Sequence, residues 1–525
     1  MKTKALLLAI SALFVVSVAI SIHVNANEPR PLKNMLIINE DNSRYLGSVS
    51  PDNLTVEELQ KFVDSYAATK VTHLFLCPNA MRANFNSSVW TPIWAPWKGV
   101  QPTGRWAANA KLLSEKGIDP YTVWLNRCRE RGLGAWLSMR MNDLHNVDDF
   151  DNLQHSDFWR AHPQFWRVPN ASGQWGNWAL NFAHPEVREY TFSFIKELFE
   201  RYDFDGLELD WMRFPYHLTP GKEEQEAYIL TDFMKRVRQL CCQWEIKRGH
   251  KIYLGARVPT HPDAARGLGM DGITWAKEGL IDLLVPSPFF SSSDYDIPVE
   301  LWKERLGKSN EHVALAVGYE NGITTGHSPR VATTSELSLL YGFASAIRAR
   351  GCDNFYLFNW MHYPANTSYT QNYQQLLQYG LSNDVIHRSK QSIPITYHDT
   401  CPKNMSRDMQ LPQRVTSKPA KLSFHVGTKA DNAKVSVLIG FESCPTDTQA
   451  VAFDVSLNGK SANGVREIAP NPKRYSDSSK WILEYSFDTA ALRDGTENIV
   501  EIKQAPSNAA NTKISAVWSE LIICP

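Results

Sequence analysis

The chain has 525 residues, and its 55 lysines and arginines are matched by 55 aspartates and glutamates, so the formal net charge is zero. This balance gives no electrostatic footprint for a nucleic-acid or membrane-surface partner. The length suits about two or three domains with a large buried core.

The N-terminus reads as an export signal. Lys2 and Lys4 precede an apolar run from Ala5 to Ile20, and Val24-Asn25-Ala26 fits a signal peptidase site. Residues 1–26 are therefore expected to be a cleavable signal peptide, which makes the mature protein secreted or periplasmic, with no membrane attachment after cleavage. The run is too short for a lasting span, and no later stretch is long and apolar enough to be one. Export permits disulfides. Of the eight cysteines, Cys401, Cys444 and Cys524 fall in the C-terminal region, where a Cys444–Cys524 bridge is one available pairing. Cys77, Cys128 and Cys352 lie inside predicted elements and read as inert core residues. There is no CxxC pair, so no structural zinc site is expected; Asp143 and His145 could ligate a metal but have no third ligand at recognisable spacing, so no metal or cofactor is expected.

From residue 27 to about 383, short apolar runs alternate with amphipathic stretches. Eight candidate strands can be counted: Met35 to Asn39, Val71 to Cys77, Gly134 to Met141, Gly206 to Asp210, Ile252 to Val258, Ile281 to Pro286, Val313 to Tyr319 and Asn354 to Asn359. Most are nearly continuous apolar runs, as expected for parallel strands covered on both faces. Thr55 and Glu58 are spaced as a capping box at the start of the first helix. A second helix, from Pro185 to about Tyr202, carries Val187, Tyr190, Phe194 and Leu198 on one stripe. Eight strand–helix units predict a closed (β/α)8 TIM barrel of the α/β class; no glycine-rich nucleotide turn follows any strand, which weighs against an open doubly wound sheet.

Beyond residue 383 the period changes to two. Leu422, Phe424 and Val426 alternate with polar partners, as do Val435 to Phe441 and Val451 to Leu457. Asn458-Gly459 supplies a hairpin turn, and Trp481 to Phe487 and Ile514 to Ile523 complete the set. Residues 384–525 are expected to form an antiparallel β-sandwich that either binds carbohydrate or buttresses the barrel, and without an evident aromatic surface cluster the structural role is the favoured one.

A TIM barrel carries its site at the C-terminal ends of its strands. Those ends deliver Glu40 and Asp41, Asn79, Arg140 with Asn142, Asp143 and His145, Asp210, Arg257, Ser287, Glu320, and Asn359 with His362. Polar groups at every equivalent position would be costly to bury unless a ligand, water or partner satisfied them. In strand four, Leu207 and Leu209 share one face while Glu208 and Asp210 share the other. Facing inward, Asp210 sits at the mouth and Glu208 one layer below; the competing reading pairs the buried carboxylate with Arg257 or Arg140.

Glycosidic cleavage needs two carboxyl groups flanking the bond. Asp210 and Glu320 are the expected catalytic pair, with Glu208 the third catalytic candidate and Asp294 and Asp296 read as exposed loop acids. Arg140, Asn142, Asp143, His145, Trp211, Arg213, Arg257, Asn359 and His362 are the expected substrate-binding residues. Seventeen tryptophans are many for this length, and pyranose C–H faces stack on aromatic planes. Trp90, Trp94, Trp97 and Trp106 in one long insertion, and Trp159, Trp166, Trp175 and Trp178 in another, read as walls of a sugar cleft or as latches holding the loops down, with Trp94 and Trp97 the chosen substrate contacts.

Taken together, Arg140-Met141-Asn142-Asp143-Leu144-His145, the run from Phe204 to Pro215 and Trp275 followed by Ile281 to Ser287 resemble the glycosyl-hydrolase-like TIM-barrel group around family ten. The resemblance covers the barrel and not the C-terminal region. It implies a glycoside hydrolase acting on a poly- or oligosaccharide, with carboxylates after strands four and seven, the positions of Asp210 and Glu320; the chain is expected to be a monomer. The sequence departs from better-known retaining clans in lacking an Asn-Glu pair after strand four. A non-catalytic glycan-binding barrel and a polysaccharide lyase or deacetylase are the competing readings.

Overall fold

The computed structural model describes residues 28–169, 173–289, 293–320, 322–324, 332–334, 336–358, 360, 368–397, 409–444, 452–469, 479–505 and 514–525. The expected signal peptide, Asn359, His362 and Cys401 lie outside the described residues. Among those residues, no helix is long and apolar enough to cross a membrane.

Strands β1 (Leu36–Glu40), β2 (His73–Leu76), β3 (Gly134–Arg140), β4 (Gly206–Asp210), β5 (Tyr253–Val258) and β6 (Leu283–Pro286) pair in parallel, each with the next. The expected seventh strand is instead two. β7 (Ala314–Leu315) pairs with β6, and β8 (Val317–Tyr319) pairs with β11 (Phe355–Phe358), which returns to β1. The run changes partner at Ala316: the amide of Ala316 donates to Leu284 O and that of Val317 to Asn354 O, each at 3.0 Å. This switch bridges β6 and β11 and completes the ring. A short antiparallel pair, β9 (Gly322–Thr324) and β10 (Ala332–Thr334), follows β8.

Helices cover the barrel. Val56–Ala67 starts at Thr55, whose side chain accepts from Glu58 N, and Pro185–Arg201 buries Val187, Phe194 and Leu198. Leu207 and Leu209 point into this helix layer, within the large apolar core. The inward side chains form a separate core of Met35, Ile37, Phe75, Trp136, Leu283, Val285, Ala316, Tyr356 and Phe358.

Register stacks the interior in rows. Trp136, Gly206 and Tyr253 are neighbours across β3, β4 and β5; Ser138, Glu208 and Gly255 lie above them; Arg140, Asp210 and Arg257 lie above those. The Trp136 indole lies across the two glycines. A Cβ on Gly206 would sit 2.4–2.5 Å from its ring atoms, and one on Gly255 would sit 3.1 Å away. Gly206→Ala is therefore expected to destabilise the barrel by about 1–3 kcal/mol through overpacking. Chemical denaturation measures this, and pairing the change with Trp136→Phe is expected to recover part of the loss.

The C-terminal region is an antiparallel sandwich. One sheet contains β12 (Gln391–Pro394), β13 (Gln413–Val415), β15 (Lys434–Phe441), β18 (Gly464–Ile468), β19 (Trp481–Phe487) and β21 (Ile514–Cys524). The other contains β14 (Ala420–Val426), β16 (Phe453–Leu457), β17 (Lys460–Ser461) and β20 (Thr496–Gln504). Asn458 and Gly459 both take positive φ at the β16–β17 hairpin, as a two-residue turn of this kind requires. The sandwich meets the barrel along helix Leu337–Ala349. There the amide of Gly427 donates to Ser345 Oγ at 2.9 Å, and Gly342 lies so close to β12 that a Cβ would be 2.0 Å from Ser392 O.

Cys77, Cys128 and Cys352 are buried thiols, and burial pushes Cys77 up to about 12, in keeping with an inert role. Cys524 is also a free thiol, so the Cys444–Cys524 bridge is not formed.

Candidate active site

At the rim, β4 and β5 place Asp210 and Arg257 side by side. Arg257 Nε donates to Asp210 Oδ1 at 2.8 Å and Nη2 to Oδ2 at 3.0 Å. The amides of Met212 and Arg213 each add a donor to Oδ1 at 2.9 Å. Nη1 of the same guanidinium donates to Ser287 Oγ at 3.0 Å and lies 3.8 Å from Glu320 Oε1. Its Cζ sits 3.7 Å above the Phe358 ring. β4, β5 and the residue after β8 thus gather two carboxylates around one arginine, with Asp210 and Glu320 both fully buried.

One row lower, Glu208 Oε2 accepts from Ser138 Oγ at 2.5 Å and Tyr356 Oη at 2.7 Å. Asn39 Nδ2 donates to both hydroxyls. Glu208 Oε1 has no hydrogen-bond partner. Burial, and then the charge on Asp210, hold the Glu208 carboxyl above the ordinary range. These features suit a neutral Glu208 beneath an ionised Asp210.

A second charged group lies toward solvent. Arg140 Nη2 donates to Asp41 Oδ2 at 2.5 Å and Nη1 to Asp143 Oδ2 at 3.0 Å. His145 Nδ1 is 2.6 Å from Asp143 Oδ1, and its Nε2 is 2.7 Å from Arg213 Nη2. A guanidinium only donates, so Nε2 accepts and Nδ1 carries the proton. Asp143 is held below the usual carboxylate range: burial opposes this, but His145, Arg140 and Arg213 outweigh it. The His145 side chain is 32% exposed, against 2% for Asp143 and 4% for Arg140.

An aromatic face adjoins this group. His145 meets the edge of Phe214 at 5.1 Å, and Phe214 meets Phe289 at 5.9 Å and Trp175 at 5.7 Å. Trp175 stacks on Phe289 at 5.7 Å and also contacts Tyr216. Trp175 is 40% exposed.

No family model matches the sequence, and no curated protein matches it. Solved structures similar in architecture include α-L-fucosidase isoenzyme 1 from Paenibacillus thiaminolyticus, at 12% identity, covering 90% of this chain and 96% of that one with a TM-score of 0.34. The glycoside hydrolase domain of PgaB (BpsB) from Bordetella bronchiseptica matches at 12% identity over 66% of this chain and 99% of that one, with a TM-score of 0.39. A cycloisomaltooligosaccharide glucanotransferase from Paenibacillus sp. matches at 8% identity over 92% of this chain, with a TM-score of 0.35; this chain spans 57% of its length. Likeness at this level assigns no residue.

Several expected contacts are placed elsewhere. Trp211 is fully buried among Phe182, Phe233 and Trp275 on the helix side of β4 and is not part of the mouth. The alternation that puts Leu207 and Leu209 outward already assigns it that side. The Asn142 amide ties loops together, donating to Leu180 O and Tyr216 O. Trp94 packs against the core. Trp97 donates to Asp151 and lies 4.1 Å from the Arg160 guanidinium. Trp90, Trp159 and Trp166 are buried latches, which leaves Trp175 as the exposed tryptophan beside the charged group. Asp294 is buried rather than solvent-facing, and Asp296 is paired with Arg350.

Proposed function

We propose that the chain is a glycoside hydrolase that cleaves a poly- or oligosaccharide at the barrel mouth, with Asp210 and Glu320 as its carboxylate pair. The observation that carries this reading is the convergence of those two acids on Arg257 at the C-terminal ends of the barrel strands. Asp210, with four donated hydrogen bonds, suits the group that stays ionised and stabilises or attacks a cationic sugar centre; Glu320 suits the group that protonates the leaving oxygen. The same reading takes residues 1–26 as an export signal, 27–383 as the catalytic barrel, the part that resembles the family-ten group, and 384–525 as an accessory module of a monomer.

The saturation of Asp210 by Arg257 and two backbone amides favours a second reading, a barrel that binds glycans without cleaving them. A panel of plant, algal and bacterial glycans separates the two. Hydrolysis releases reducing ends, and Glu320→Gln is expected to slow that release by about 10²–10⁴-fold while the protein stays folded. Binding without new reducing ends supports the second reading, and products absorbing in the near ultraviolet indicate a lyase and overturn both.

A further inference from the structure

We infer that Trp175, His145 and Arg213 form a subsite for a neutral pyranose, which rests on the hydrolase reading and names the substrate class it acts on. The Arg213 Nη2 to His145 Nε2 contact is a donor and an acceptor satisfying each other at 2.7 Å. A hydroxyl both accepts and donates. One sugar hydroxyl entering between them takes the Arg213 proton donor and donates to His145, so neither group loses a partner. His145 is exposed enough to be reached. Nδ1–H on Asp143 fixes the imidazole with Nε2 as acceptor, so the site favours a ligand that brings a hydrogen.

The stacking surface is contiguous with this pair. Arg213 Cζ lies 5.6 Å from the Phe214 ring, which touches His145, Trp175 and Phe289. Trp175, backed by Phe289, presents exposed indole surface of the kind that covers the C–H face of a sugar.

Charge selects the kind of sugar. Arg140 and Arg213 are matched by Asp41 and Asp143, and all four act on one another. Deeper in, one cation, Arg257, faces Asp210 and Glu320. Among the described residues of this site each of these cations faces a carboxylate, so a neutral pyranose fits and an anionic one is opposed.

The test is calorimetry on the Glu320→Gln protein with hexasaccharides of glucose, mannose, galactose and xylose, and with hexagalacturonate. At least one neutral hexasaccharide is expected to bind more tightly than hexagalacturonate. Trp175→Ala and His145→Phe are each expected to weaken that binding by about 3–10-fold, with His145→Gln retaining part of it. Trp175 is exposed, so its loss reports on binding rather than folding. Unchanged affinity in both variants, tighter binding of hexagalacturonate, or no binding by any sugar of the panel overturns the subsite. Trp175-dependent binding by a wild-type protein that releases no reducing ends keeps the subsite and removes the hydrolase reading. Cleavage with an unchanged KM in Trp175→Ala does the reverse.

Discussion

Asp210→Asn is expected to lower kcat on a cleaved glycan by about 10³–10⁴-fold, with a much smaller change in KM. The amide retains one oxygen for the donors from Met212, Arg213 and Arg257 Nε, so the loop after β4 keeps its anchor. Its NH2 group then faces Arg257 Nη2, where Asp210 Oδ2 now accepts at 3.0 Å. Two donors meet, and the negative charge that would stabilise a developing sugar cation is gone. The ground-state sugar carries no developing charge for Asp210 to stabilise, so KM is largely spared. Steady-state kinetics alongside a thermal melt decide the point. Wild-type turnover in a folded Asp210→Asn protein removes Asp210 from the chemistry and leaves it an anchor for Arg257.

The parts of this site that were legible in the sequence are those set by local alternation. In Gly206-Leu207-Glu208-Leu209-Asp210 the apolar and acidic residues fall on opposite faces, and the strand forms with those bounds. The same period, carried one residue further, puts Trp211 with the leucines, although its place beside Asp210 made it look like part of the mouth. Other features depend on distant partners. The break at Ala316 arises because the run from Ala314 to Tyr319 must pair first with β6 and then with β11, and nothing in its own apolar pattern marks the change. Eight of the loop tryptophans look alike in composition. Burial alone separates Trp90, Trp159 and Trp166, which pin loops, from Trp175 at the surface. Asp294 sits in a serine-rich stretch that reads as solvent-facing. The neighbouring Ser293 hydroxyl, however, bonds both the amide and the carbonyl of Glu320, and Tyr295 N bonds Thr396, so the segment is drawn inward beneath the sandwich.

Removing the central cation should produce the largest loss of stability. Arg257→Leu is expected to destabilise the protein by about 3–5 kcal/mol at neutral pH, the cost typical of leaving a buried charge without its partner. Here three acids share the consequences: Asp210 loses a bidentate partner, Glu320 loses its nearby cation, and Glu208, already pushed up by burial and by Asp210, loses an opposing charge. The pH dependence follows from that direction. A carboxyl whose folded-state pKa is raised above its unfolded value binds more protons in the folded state, so stability is greatest below the unfolded pKa and declines as pH rises toward the folded one. In wild type this applies to Glu208. In Arg257→Leu the loss of that opposing charge is expected to raise Glu208 further, so the deficit relative to wild type should shrink as pH falls from 8 to 5. Denaturant midpoints across that range measure it. A deficit that stays constant with pH would mean that packing against Phe358, rather than charge, is what the arginine contributes.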